Sequence, residues 1–126
     1  MAAYDIKKIA ANIRRLNASE DAQRAARRTR AQEIGAAVAE AIGANDPEVV
    51  RVWGFGSTWE TWRTFRMNSD VDIGLESGDW SRAMSCLYRL DIEREFKVSL
   101  VSLDEQPTTF AEMVKKHGVI LYEKKP

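Results

Sequence analysis

Two helical stretches, then strand and helix patterns in alternation, predict a mixed sheet covered by helices, in the α/β or α+β class. Three observations carry this. Apolar residues recur at helical spacing through the first 43 residues. Four short β-branched or aromatic runs follow, at Val49–Trp53, Val71–Leu75, Phe96–Leu103 and Val119–Tyr122. Helical patterns with their own start and stop signals separate the later runs.

Taken in order, Ile6, Ile9, Ile13 and Leu16 form the apolar face of a first helix, with Asp5 in position to cap it. Asn17 interrupts the pattern, and Ser19 is placed to cap a second helix that runs to about Ile42. Ile34, Ala37, Val38, Ala41 and Ile42 supply its apolar side. Gly43 and the Asn45-Asp46-Pro47 turn end it, since proline cannot continue a helix. A boundary is expected here, with residues 1–46 a helical extension and residues 47–126 the sheet-bearing domain. Beyond the first strand, Gly54 and Gly56 bracket Phe55, and Thr58 to Phe65 is expected to be helical. Asp79 is a plausible cap for a helix carrying Trp80, Ala83, Met84, Leu87 and Tyr88 on one face. Thr109 and Glu112 have capping-box spacing before Phe110, Met113 and Val114, and Gly118 closes that helix.

Composition bounds the function. The 126 residues suffice for one core. No apolar run approaches the ~20 residues of a membrane span, and no signal-peptide pattern opens the sequence. Cys86 is the single cysteine, which excludes an internal disulfide and makes a cytoplasmic setting the expectation. Net charge is zero, so no whole-molecule field draws the protein to nucleic acid.

The chemistry concentrates between Val50 and Glu76. A Gly54-Phe55-Gly56-Ser57 turn between a strand and a helix start presents free backbone N–H groups, and the Ser57 hydroxyl adds a donor, a combination suited to phosphate. Ser69-Asp70-Val71-Asp72 then puts two carboxylates on one strand face, with Cα atoms about 6.5–7 Å apart. At ~6 Å and an effective dielectric of ~20 such charges repel by about 3 kcal/mol, which a divalent cation relieves; fully solvated, the same pair is merely an acidic strand face. A phosphate-holding turn facing an acidic pair supplies both halves of a metal–nucleotide site.

This arrangement of strand, Gly-Ser, short helix and Ser-Asp-x-Asp resembles the signature of the DNA polymerase β-type nucleotidyltransferases. The chain is most similar to the minimal nucleotidyltransferase (MNT) branch, the antitoxin-like partner of HEPN toxins. The similarity continues through Val98–Glu105, the helix after Pro107, and the closing Gly118-Val119-Ile120-Leu121-Tyr122-Glu123, so it spans roughly residues 48–123. The resemblance implies an α+β nucleotidyltransferase fold with residues 47–126 as the minimal domain. It implies a two-ion Mg²⁺ site at Asp70 and Asp72, and nucleotide phosphates at Gly56 and Ser57. The implied reaction moves a nucleoside monophosphate, AMP from ATP, to a hydroxyl on a HEPN-type toxin.

 The resemblance further implies ATP or another NTP as the substrate at that Mg²⁺ site.

Two positions depart from the family's pattern. The Arg-Gly usual after the Gly-Ser is replaced by Thr58-Trp59-Glu60-Thr61-Trp62-Arg63, which leaves Arg63, or else Arg66, as the phosphate contact. The third carboxylate expected on the next core strand is Ser99. A serine hydroxyl neither ligates a metal nor accepts a proton as a carboxylate does. Glu95 is about 13 Å along the strand and a poor replacement. Ser99 therefore supports an alternative, a catalytically degenerate MNT-type antitoxin or scaffold that works by binding its partner. Transfer to RNA ends or to a small molecule is a third reading.

Other residues have plainer expectations. Trp53 and Trp80 fit core positions, whereas Trp59 and Trp62 flank the site. His117 falls at a helix end. Arg24, Arg27, Arg28 and Arg30 form a solvated face, a surface for an acidic partner, or a nucleic-acid contact. The N-terminal helices are expected to mediate self-association or partner binding; neither nucleic acid nor membrane is expected as a partner.

Overall fold

The computed structural model describes residues 5–92 and 94–126. Its first element, α1 (Ile6–Asn45), is one helix of 40 residues, not two. Asp5 caps it as expected, accepting the Lys8 N–H at 3.0 Å. Asn17 and Ser19 do not break it. Each costs less than ~1 kcal/mol in a helix interior, and the alanines around them favour continuation. Gly43 does not end it either. That glycine lies inside the helix because the Tyr122 ring packs where its Cβ would stand. The stop comes at Asp46, whose N–H bonds Ile42 O at 3.1 Å, and at Pro47.

The two halves of α1 have different surroundings. Ile6, Ile9, Ile13 and Leu16 are exposed, whereas Ala31, Ile34, Val38, Ala39 and Ile42 belong to the main core. The arginines between them are fasteners. Arg27 donates to Met67 O at 2.8 Å and lies 4.1 Å over the Phe96 ring. Arg28 donates to Thr58 O and Glu60 O at 3.2 and 3.0 Å. Arg30 grips both Glu95 oxygens at 2.8 and 3.2 Å. These three arginines clamp α1 to the body rather than forming a free basic face.

Four strands follow: β1 (Arg51–Phe55), β2 (Val71–Glu76), β3 (Val98–Ser102) and β4 (Val119–Glu123). Their order is β3-β2-β1-β4, with β2 and β3 parallel and the other pairs antiparallel, so the sheet is mixed. The third strand starts at Val98, two residues later than Phe96, which is buried in the core instead. Val71, Ile73 and Leu75 alternate onto one face and meet α1 and α2 (Trp80–Arg89) in the core. Burying each such side chain is worth about 1.5–3 kcal/mol. Trp53, Leu103 and Val114 form a smaller cluster, with Phe55 and Phe110 packed against it. That cluster joins the sheet to α3 (Thr108–His117).

Asp79 caps α2 as expected, accepting from Ser81 N and Arg82 N. Trp80 is not a core residue; it is 43% exposed, with its indole N–H held by Leu100 O at 2.9 Å. The Thr109–Glu112 capping box is absent among the described residues. Pro107 precedes the first helical residue, Thr108, and provides no side-chain cap. Asp46, 2% exposed, ties the end of α1 to the start of α2 by accepting Asp79 N–H at 2.9 Å and Glu48 N–H at 3.0 Å.

Candidate active site

Alternation along β2 separates Asp72 from the main core: Val71 and Ile73 point into it, so Asp72 must point the other way. In the sheet Asp72 lies opposite Phe55 on β1 and opposite Ser99 on β3. The position that sequence reasoning marked for a third carboxylate is therefore the neighbour of Asp72. Glu95 is not there, since Arg30 holds it against α1.

The turn after β1 meets Asp72 directly. Gly56 has φ +74°, a left-handed conformation that favours glycine, and a Cβ at this position would collide with Asp72 Oδ2. No helix forms between Thr58 and Phe65. Trp59 N and Glu60 N bond back to Gly56 O at 3.1 and 2.9 Å, making one turn that does not propagate. Tertiary contacts replace the helix here. The Trp59 indole fills space left by Gly35 on α1 and Gly54 on β1, where added Cβ atoms would overlap it. Thr58 is fully buried; its hydroxyl donates to Asp70 O at 3.0 Å, while its own carbonyl accepts from Arg28 and Gln32. The Ser57 hydroxyl meets that of Ser69 at 3.2 Å. These bonds hold the Gly-Ser turn beside the Asp70-x-Asp72 strand.

Burial raises the Asp72 carboxyl to about 6, the neighbouring Asp70 charge adds to the rise, Arg63 opposes it and Glu60 reinforces it. Among the described residues no side-chain hydrogen bond reaches the Asp72 carboxylate. A half-buried carboxylate beside a second one, without a cationic side chain bonded to it, has the donor chemistry to hold a divalent cation. The described residues contain no group of three or more His, Cys, Asp or Glu arranged around a metal position. Asp70 and Asp72 thus provide two carboxylates, and Ser99 does not supply a third.

Arg63 reaches the site. It is 3.4 Å from Glu60, stacks 4.6 Å over Trp62, and lines a cleft of about 370 Å³ with Phe55, Glu60, Phe110 and Met113. Arg66 is exposed, and its backbone N–H bonds Ser69 Oγ at 2.9 Å. Trp62 is 65% exposed and meets His117, the last residue of α3, edge-on at 5.9 Å. Glu60 is the residue that sequence reasoning passed over. It is 6% exposed and accepts the Gly56 N–H at 2.5 Å. The available signal was an acidic residue alone in the segment joining the two motifs.

Comparisons with known proteins identify the family and the fold. The family described as Polymerase beta, Nucleotidyltransferase matches residues 39–126. No curated protein matches the chain. Two solved structures are similar in fold. A mutant form of the toxin–antitoxin MntA-HpeT has 21% identity and a TM-score of 0.52, over 68% of this chain and 70% of that one. A toxin–antitoxin with AMP-PNP has 22% identity and a TM-score of 0.54, over the same shares, 68% and 70%. No helix among the described residues is long and apolar enough to cross a membrane.

Proposed function

The chain belongs to the polymerase β nucleotidyltransferase family, and from that premise we propose that it binds Mg²⁺–ATP and transfers AMP to a hydroxyl on a toxin-type protein partner, the α–β phosphoanhydride breaking as pyrophosphate leaves and the hydroxyl proton passing to solvent. The observation that carries this is the unpaired Asp72 carboxylate, next to Asp70 and against the Gly56 turn. In this reading Asp70 and Asp72 hold the cation, and the Gly56-Ser57 turn with Arg63 orients the phosphates. A cation held there would offset the triphosphate charge and make the α-phosphorus a better electrophile. The cleft lined by Phe55, Phe110 and Met113 lies beside Arg63. The toxin-type partner is suggested by the solved neighbours, both toxin–antitoxin structures.

Ser99 favours a second reading, in which the protein acts by contact with its partner while turnover is slow or absent. Calorimetry with Mg²⁺–ATP on the wild type and on the Asp70→Asn/Asp72→Asn double variant tests the first. Binding by the wild type, lost in the variant, is expected; no heat from the wild type rejects the nucleotide site. Partner binding that survives the double variant marks the second reading.

The free half of α1 suits the docking role. Ile6, Ile9, Ile13 and Leu16 repeat at coiled-coil spacing and are all exposed. Removing residues 1–23 spares the Arg27, Arg28 and Arg30 clamps, so the body should stay folded while assembly is lost. An unchanged mass by light scattering counts against it.

A further inference from the structure

One acidic group at the Gly-Ser turn already has partners. Glu60 Oε2 accepts the Gly56 N–H at 2.5 Å and lies 3.4 Å from Arg63 Nε. The side chain is almost fully enclosed, and the residue's backbone carbonyl is pinned to α1 by Arg28 at 3.0 Å. Backbone amide and guanidinium are two of the donors that the proposed nucleotide site offers to a phosphate oxygen. An anion of the chain's own therefore sits on both of them. We propose that Glu60 is a built-in occupant of the phosphate seat, and that a polyphosphate binds only by displacing its carboxylate from Gly56 N–H and Arg63.

The physical reasons are competition and charge. A donor committed to one carboxylate is not free for a second anion. A phosphate brought beside an undisplaced Glu60 meets like charge in a partly buried site. A turn-capping role alone would also explain the Gly56–Glu60 bond. Such a role predicts that neutralising Glu60 leaves phosphate affinity unchanged, whereas a seat occupant predicts a gain. The inference rests on the nucleotide-site reading, and the two are separable by experiment.

Calorimetry with inorganic tripolyphosphate and with Mg²⁺–ATP, on the wild type, Glu60→Gln and Asp70→Asn, makes the test. Glutamine keeps an acceptor oxygen for Gly56 while removing the charge. The expected result is that Glu60→Gln binds both probes about tenfold or more tightly than the wild type. Wild-type Mg²⁺–ATP binding that depends on Asp70, with no gain in Glu60→Gln, overturns the occupant role and leaves the nucleotide site standing. No binding of either probe by any of the three proteins overturns both. Should Glu60→Gln fail to fold, the Gly56 amide resonance of the wild type decides. It must move along the tripolyphosphate binding isotherm, and a stationary peak overturns the proposal.

Discussion

Asp72 and Glu76 stand four residues apart on the same face of β2, yet the protein treats them oppositely. Burial would raise Glu76, but bonds from Trp53, Lys115 and Arg51 outweigh it and hold the carboxyl below its usual range. Trp53 Nε1 donates to it at 3.0 Å, with Lys115 and Arg51 each at 3.3 Å. Asp72 receives no such set and is pushed up to about 6. Glu76 is a structural carboxylate whose partners are supplied by the fold. Asp72 is a carboxylate to which no side chain among the described residues donates, a state more common at functional sites than in structural ion pairs.

The largest effect should follow from breaking the satisfied end. Glu76→Ala leaves the Trp53 indole N–H and Lys115 without their acceptor and Arg51 with Glu123 alone, and is expected to cost about 2–4 kcal/mol by urea denaturation. A loss below ~1 kcal/mol would show that solvent replaces the carboxylate freely.

The unsatisfied end should respond with the opposite sign. In metal-free protein at pH 7.5, Asp72→Asn is expected to stabilise by roughly 1–2 kcal/mol, since it removes a charge kept out of water beside Asp70. Because its folded value of about 6 lies above the usual 3.8, Asp72 stabilises the protein below about pH 4. That contribution is lost as pH rises through 6. Glu76, lowered from 4.5, works the other way, and its contribution is lost as pH falls. Denaturation from pH 4 to 7.5 with EDTA should therefore show a decline of roughly 2 kcal/mol attributable to Asp72, allowing for partial solvent screening. The decline should vanish in Asp72→Asn, and its persistence there would assign it to another group.

The smallest expected effect sharpens the contrast. Ser99→Asp places another carboxylate opposite Asp72 in the parallel pair. Metal-free protein should lose about 1 kcal/mol, and Mg²⁺ should raise the melting temperature more than in the wild type. Equal Mg²⁺ responses would mean that residue 99 lies outside the cation's reach.

The local patterns that were legible in the sequence were those where chemistry and periodicity coincide. Gly56 and the Asp70-x-Asp72 alternation depend on φ preference and strand parity, which neighbouring residues decide. The same holds for the Asp5 and Asp79 caps. The segment Thr58–Phe65 read as helix because its local pattern allows one. It folds as turns because Trp59 enters the gap between Gly35 and Gly54, residues 24 and 5 positions away. Glu60 was equally opaque, since a lone acid acquires meaning only when an amide is brought to it.

The amino-acid sequence by itself determined the strand and helix repertoire, the Gly-Ser and Asp-x-Asp motifs and their family, because each is encoded within a few consecutive residues. Tertiary structure decided the rest. It made one continuous helix of residues 6–45 and turned the arginines after residue 24 into clamps. It put Ser99 beside Asp72 and, among the described residues, gave Asp72 no side-chain donor while Glu76 was satisfied. A carboxylate's role depends on which donors and charges lie within a few ångströms, and those arrive from distant parts of the chain.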